Sequence, residues 1–174
     1  MDGVHGGVSI GDERRFARED KADEGPLGKD QIETLQKSWE IIADKSHENG
    51  ITLIKRLLDE HPDELVPLFS FGKAGLSREE MYQKPAFFRH CKGVMSTLGV
   101  AVNNLGDLQA IVPVLEKLGA KHNTKKVKAA HFEYLQEAFV YMLQQAHGQD
   151  LNDDILDAWT AVFAVVAATM GSKM

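Results

Sequence analysis

Apolar positions recur at helical spacing from Lys29 to the end of the chain. Ile32, Leu35, Trp39 and Ile42 follow one another at intervals of 3, 4 and 3 residues, which is one face of a 3.6-residue helix. Ile51, Ile54, Leu57 and Leu58 repeat the pattern. It stops at His61-Pro62, because the residue before a proline is pushed out of the α region. A short stretch, 63–69, follows. Residues 70–84 carry Gly72 and Gly75, precede Pro85, and read as a loop with room for one helical turn. Phe87, Cys91, Val94, Leu98 and Ala101 mark a long helix, broken at 103–106. Ile111, Leu115, Leu118 and His122 share a face of the next, with Pro113 expected near its first turn. Phe132, Leu135, Phe139 and Met142 mark another long helix. Ile155, Trp159, Val162, Phe163 and Val166 mark the last, which ends at Gly171. No segment alternates with a period of two, and there is no internal repeat. The prediction is an all-α domain of six to eight helices over residues 29–174.

Residues 1–28 differ. They hold 6 of the 15 glycines and 7 acidic residues against 4 basic ones, with few large apolar side chains. Such a segment buries too little apolar surface to offset its ordering entropy. It reads as a flexible N-terminal tail. The 174 residues fit one domain with a sizeable core. The net charge of −6 speaks against nucleic acid as the main partner, which needs a basic face. No run of 18 apolar residues occurs, so no membrane span is expected. No signal sequence or myristoylation site is expected at the start, and the expected location is the cytoplasm.

Motifs narrow the chemistry further. Glycine-rich phosphate loops and HExxH are absent. Cys91 is the one cysteine, which excludes Cys-rich metal sites and an internal disulfide framework. Its neighbour His90 points about 100° away on a helix, so the two form no nucleophile–base pair. Cys91 reads as a small buried hydrophobe. CxxCH is absent, so a haem attached through thioether links is excluded.

Seven histidines remain. His5 falls in the tail. His47, His61 and His147 sit near helix ends among polar residues and read as surface histidines; His131 reads as surface or partly packed. His90 and His122 are different. His90 shares a face with Phe87 and Val94, and His122 ends the stripe Ile111, Leu115, Leu118. Each imidazole projects from an apolar face. Either alone reads as a satisfied core histidine. A pair on consecutive helices is also what a haem iron uses.

Further residues bear on that choice. Gln36-Lys37-Ser38-Trp39, Pro67-Leu68-Phe69, Phe87-Phe88-Arg89-His90-Cys91-Lys92-Gly93-Val94-Met95 and Leu118-Gly119-Ala120-Lys121-His122 together resemble a globin. The likeness runs from about Asp30 to Met170 and is strongest toward the neuroglobin and cytoglobin group. The interval of 32 residues between His90 and His122 fits.

The resemblance implies a three-over-three helical sandwich holding haem b, iron protoporphyrin IX. It makes His122 the proximal ligand, its Nδ1 bonded to the Leu118 carbonyl, and His90 the distal histidine. The cofactor-binding set it implies is Phe69, Phe71, Phe87, His90, Val94, Leu118, Lys121, His122, Val127 and Phe132. Ile54 is expected on the distal side, where an aromatic is frequent in this group. Gly93 stands where many globins carry a lysine or arginine that meets a haem propionate. The implied partners are the diatomic gases O2, NO and CO and an electron-donating reductase, with a monomer or weak dimer as the assembly. The group favours His90 itself on the iron (a six-coordinate, bis-histidine haem) and redox work such as NO dioxygenation or nitrite reduction. Three alternatives stay open. One is a five-coordinate oxygen store or carrier. Another is a haem-state signalling module acting through the tail or residues 71–84. The third is a haem-free helical interaction domain.

Overall fold

The computed structural model describes residues 27–72 and 75–174. Among them are eight α-helices and no strand. They are α1 (Lys29–Asp44), α2 (Ser46–Glu60), α3 (Pro62–Leu65), α4 (Arg78–Tyr82), α5 (Pro85–Asn103), α6 (Leu108–Asn123), α7 (His131–His147) and α8 (Asp153–Gly171). The predicted tail lies outside the described residues apart from Leu27 and Gly28; Leu27 is buried in the core.

Local chemistry sets the boundaries. Asp107 caps α6 by accepting from the Ala110 N–H, and Asn152 caps α8 by accepting from the Ile155 N–H. Ser77 and Glu80 form a capping box that starts α4 inside the predicted loop. Pro113 departs from expectation: α6 begins at Leu108, so the proline lies inside the helix rather than near its first turn. The Asp107 cap explains this, because it anchors the helix ahead of the proline.

The helices layer as the globin resemblance implies. α2 packs against α5 and α7, α6 against α8, and α1 against α8 and α5. Two glycines permit the closest crossings. A Cβ on Gly50 would stand 2.9 Å from the Met95 side chain and 3.2 Å from the Cys91 carbonyl oxygen, so α2 and α5 touch backbone to backbone. A Cβ on Gly119 would overlap the Met170 carbonyl, so α6 lies directly on α8. α8 is long and apolar enough to cross a membrane by length and composition. Its Trp159, Val162 and Phe163 face is buried in this fold.

The core divides in two. The larger part runs from Leu35 and Ile42 through Leu53, Phe87 and Met95 to Phe139, Trp159 and Phe163. The smaller part comprises Ala101, Ile111, Leu115, Phe132 and Met170. Leu108, Leu135 and Val166 border both.

Candidate functional site

His122 sits in the last turn of α6. Its Nδ1 lies 2.8 Å from the Leu118 carbonyl oxygen, one turn back. A carbonyl only accepts, so Nδ1 carries the proton and Nε2 keeps its lone pair. The His122 carbonyl in turn accepts the N–H groups of Lys125 at 2.9 Å and Val127 at 3.2 Å. These bonds fold the chain back toward α7. The His122 ring, Leu118 and Val127 are all half-buried.

His90 lies on α5, also half-buried. The ring of Phe69 meets it edge-on, with centroids 4.9 Å apart. Phe69 stacks on Phe71 at 4.8 Å, and Phe71 stands edge-on to Phe87 at 5.6 Å. Phe71 and Phe87 are buried. Of these three phenylalanines, Phe69 alone is half-exposed, and the other two form a rigid layer behind it. Val94, one turn beyond His90, is half-buried at the edge of the larger core. Burial pushes the His90 imidazole down to about 4, and the charges of His122 and Lys121 add to the shift. His90 is therefore neutral at pH 7 and near enough to His122 to feel it. Lys121 is exposed beside them, and Phe132 is buried in the smaller core. Ile54 is 1% exposed and offers no polar group.

The two histidines belong to different sides of the divided core. Phe69 and Val94 border the larger part, Leu118 the smaller. α5 and α6 approach each other sparsely. Half-buried apolar side chains flank both half-buried imidazoles, a set of groups that fits a flat apolar molecule with a metal at its centre. The donor set agrees. Among the described residues no three His, Cys, Asp or Glu side chains gather to cage a bare ion. Two imidazoles complete a transition metal whose other donors come from a macrocycle. Cys91 is not a third donor: it is buried away from the site, and burial raises its thiol to about 12.

The remaining histidines correct the expectation in part. His147, read as a surface histidine, and His131, read as surface or partly packed, are both 6% exposed. Ser38 Oγ accepts the Trp159 indole N–H at 2.9 Å and lies 2.9 Å from His147 Nε2. His131 accepts the Lys128 N–H at Nδ1, so its Nε2–H donates to Glu64 at 2.9 Å. Tyr134 donates to the other Glu64 oxygen at 3.2 Å, tying α7 to α3. These bonds lower the Glu64 carboxyl below its ordinary range, the one from His131 most. A signal existed: His131, Leu135, Phe139, Leu143 and His147 fall at intervals of four on one stripe of α7. His61 is half-buried and stacks on Tyr134 at 3.8 Å, and exposed His47 stacks on Phe88 at 5.9 Å.

Comparison with known proteins gives the family and the fold. The globin family model matches residues 51–170. The chain is 32% identical over 138 residues to a neuroglobin of Tetraodon nigroviridis, covering 79% of this chain and 86% of that one. It is 30% identical over 144 residues to a neuroglobin of Chaenocephalus aceratus, covering 83% and 90% respectively. Its fold matches a crystal structure of a hexacoordinated heme protein from an anhydrobiotic tardigrade. The TM-score is 0.76 at 19% identity, over 85% of this chain and 95% of that one. The chain belongs to the globin family, the haem proteins that bind diatomic gases, and is similar to its neuroglobin members.

Proposed function

We propose that this globin holds haem b between His122 and His90, that His90 competes with an external gas for the iron, and that the protein serves one-electron redox chemistry more than bulk oxygen storage. The observation that carries the reading is the pair of imidazoles itself: both half-buried and close enough to interact, with one tautomer fixed. A bound haem would supply an iron able to move between ferric and ferrous and to bind a diatomic gas. The rest is work of the chain. His122 offers Nε2, held in direction by the bond from its Nδ1 to Leu118. His90, neutral at pH 7, offers either a lone pair to the metal or an N–H to a bound gas. Phe69 forms the wall beside it, backed by Phe71 and Phe87. Val94, Leu118, Val127 and Phe132 complete an apolar lining that excludes water. Lys121 stands at the rim. With His122 and His90 both holding the iron, little in their coordination would have to change on electron transfer, which suits that role. The proposed setting is the cytoplasm, where a reductase supplies electrons.

The test is the visible spectrum of the holoprotein reduced with dithionite in the absence of gas. Sharp, separated α and β bands mean a six-coordinate low-spin iron and support the reading. One broad band means a vacant sixth position and favours oxygen storage. Absence of a Soret band after haem reconstitution overturns the haem assignment.

A further inference from the structure

The corner that follows His122 is basic in an acidic protein. Residues 117–128 carry Lys117, Lys121, Lys125, Lys126 and Lys128 and no acidic residue. That leaves 15 of the 20 basic residues against all 26 acidic ones elsewhere, a net of −11 for the rest of the chain. All five lysines are exposed. Two acids near them are already engaged. Glu116 pairs with Lys173 at 3.3 Å, and Glu64, within reach of the Lys128 charge, is held by His131 and Tyr134. Neither neutralises the corner.

Backbone conformation singles out the tip. Lys126 has φ 64° and is the one non-glycine residue in the left-handed region among those described. Glycine or asparagine relieves that strain, yet the position carries a cation. Place matters as well. Lys121 precedes His122, its charge is felt at His90, and Lys125 donates its backbone N–H to the His122 carbonyl. The patch therefore lies beside the paired histidines, on the His122 side.

We propose that this lysine corner is the docking surface for a small acidic protein that donates one electron at a time. The proposal rests on the haem reading above. In the step it serves, the donor protein loses one electron and a bound haem iron would pass from ferric to ferrous; no bond forms or breaks. Complementary charge steers such an encounter and raises its rate. The shape of the charge favours a compact protein. A nucleic acid or a bilayer presents an extended anionic surface, which would also meet the acids around the corner. A small acidic partner can touch the corner alone.

Reduced flavodoxin, a small acidic flavoprotein, is the probe. Its reduction of the ferric holoprotein is followed by stopped flow at low and high ionic strength. Lys117→Gln/Lys125→Gln/Lys126→Gln is compared with Lys37→Gln/Lys45→Gln/Lys84→Gln, three exposed lysines elsewhere. The expected result is a rate about tenfold lower for the corner variant at low salt, a gap that closes at high salt, and less than about a twofold change for the control. Amide shifts on adding oxidised flavodoxin should concentrate in residues 117–128. Equal losses in both variants, a salt-independent rate, or shifts confined to another face overturn the proposal. So does binding to phosphatidylserine vesicles that depends on the corner while flavodoxin reduction does not. Dithionite separates the two readings. If it reduces every variant and flavodoxin shows no corner dependence, only the docking proposal fails. If no haem is retained, the haem reading fails and the docking proposal with it.

Discussion

The ring of Phe69 stands edge-on to the imidazole of His90, with centroids 4.9 Å apart and planes at 76°. Aromatic pairs in this geometry contribute about 0.5–1.5 kcal/mol beyond buried area. Phe69 is itself fixed by stacking on Phe71, so it limits how far the His90 ring can turn. In Phe69→Ala that restraint is gone. The dithionite-reduced holoprotein should show a smaller six-coordinate fraction, read from the loss of sharp α and β bands. CO recombination after flash photolysis should speed up. An unchanged band ratio would mean that the phenylalanine is only a wall.

His90 and His122 are expected to respond in opposite ways. Removing an internal competitor frees the site, and apparent affinity rises by the reciprocal of the open fraction. If about 1% of molecules are open, His90→Leu should bind CO about a hundredfold more tightly, or about 2.7 kcal/mol. His122→Ala should lose haem on gel filtration and melt at lower temperature, because a bound cofactor stabilises the fold by mass action. Equal CO affinity in His90→Leu and wild type would place His90 off the iron in the resting protein.

Much of this was legible in the chain itself, and the remainder failed for physical reasons. The long helices follow from the stripes that begin at Ile32, Ile51, Phe87, Ile111, Phe132 and Ile155, because amphipathic periodicity survives without tertiary information. The bond from His122 to Leu118 is local, a spacing of four on one helix, and the resemblance carried it. Glu64 with His131 and Ser38 with His147 are separated by 67 and 109 residues. No local pattern announces such pairings. The polar neighbours of His147 masked a stripe position that ends in the core. Phe87 shows a different limit. Spacing put it on the face of His90, but Phe71 and Tyr82 pack against it, tertiary contacts that no periodicity encodes.

The buried chain Trp159–Ser38–His147 predicts a pH dependence. Ser38 Oγ accepts from the indole and lies 2.9 Å from His147 Nε2, and His147 Nδ1 is buried without a partner. Burial lowers the pKa of His147 below its ordinary value of 6.5, against the pull of Asp150. The unfolded state therefore binds the proton more readily. Above pH 6.5 both states are neutral and His147 has no effect on pH dependence. As pH falls below that value, stability falls toward the folded-state pKa, by at most about 1.4 kcal/mol per unit for one proton. Urea titrations of the holoprotein between pH 7.5 and 5 should show this loss, and His147→Gln should reduce it. Ser38→Ala strips partners from two buried groups and should cost about 2–4 kcal/mol at pH 7. A variant whose acid-side slope equals that of wild type would remove His147 as the cause.

Gly93 lies one turn after His90, and its surroundings suggest why α5 could let that histidine move. A Cβ there meets nothing within 4 Å, so no packing demands glycine. The Thr97 hydroxyl donates to the Gly93 carbonyl at 3.0 Å, a side-chain bond of the kind that bends helices. Glycine in a helix interior costs about 0.8–1.0 kcal/mol relative to alanine through backbone freedom. Gly93→Lys should therefore stabilise the fold by about 0.5–1 kcal/mol without a clash. It also restores the cation that many globins carry there. If the softness of this turn eases His90 on and off the iron, the stiffer helix should change the rate at which CO displaces His90 and shift the six-coordinate fraction. A gain in stability with unchanged CO kinetics and unchanged bands would separate the two effects and leave Gly93 with no part in gating.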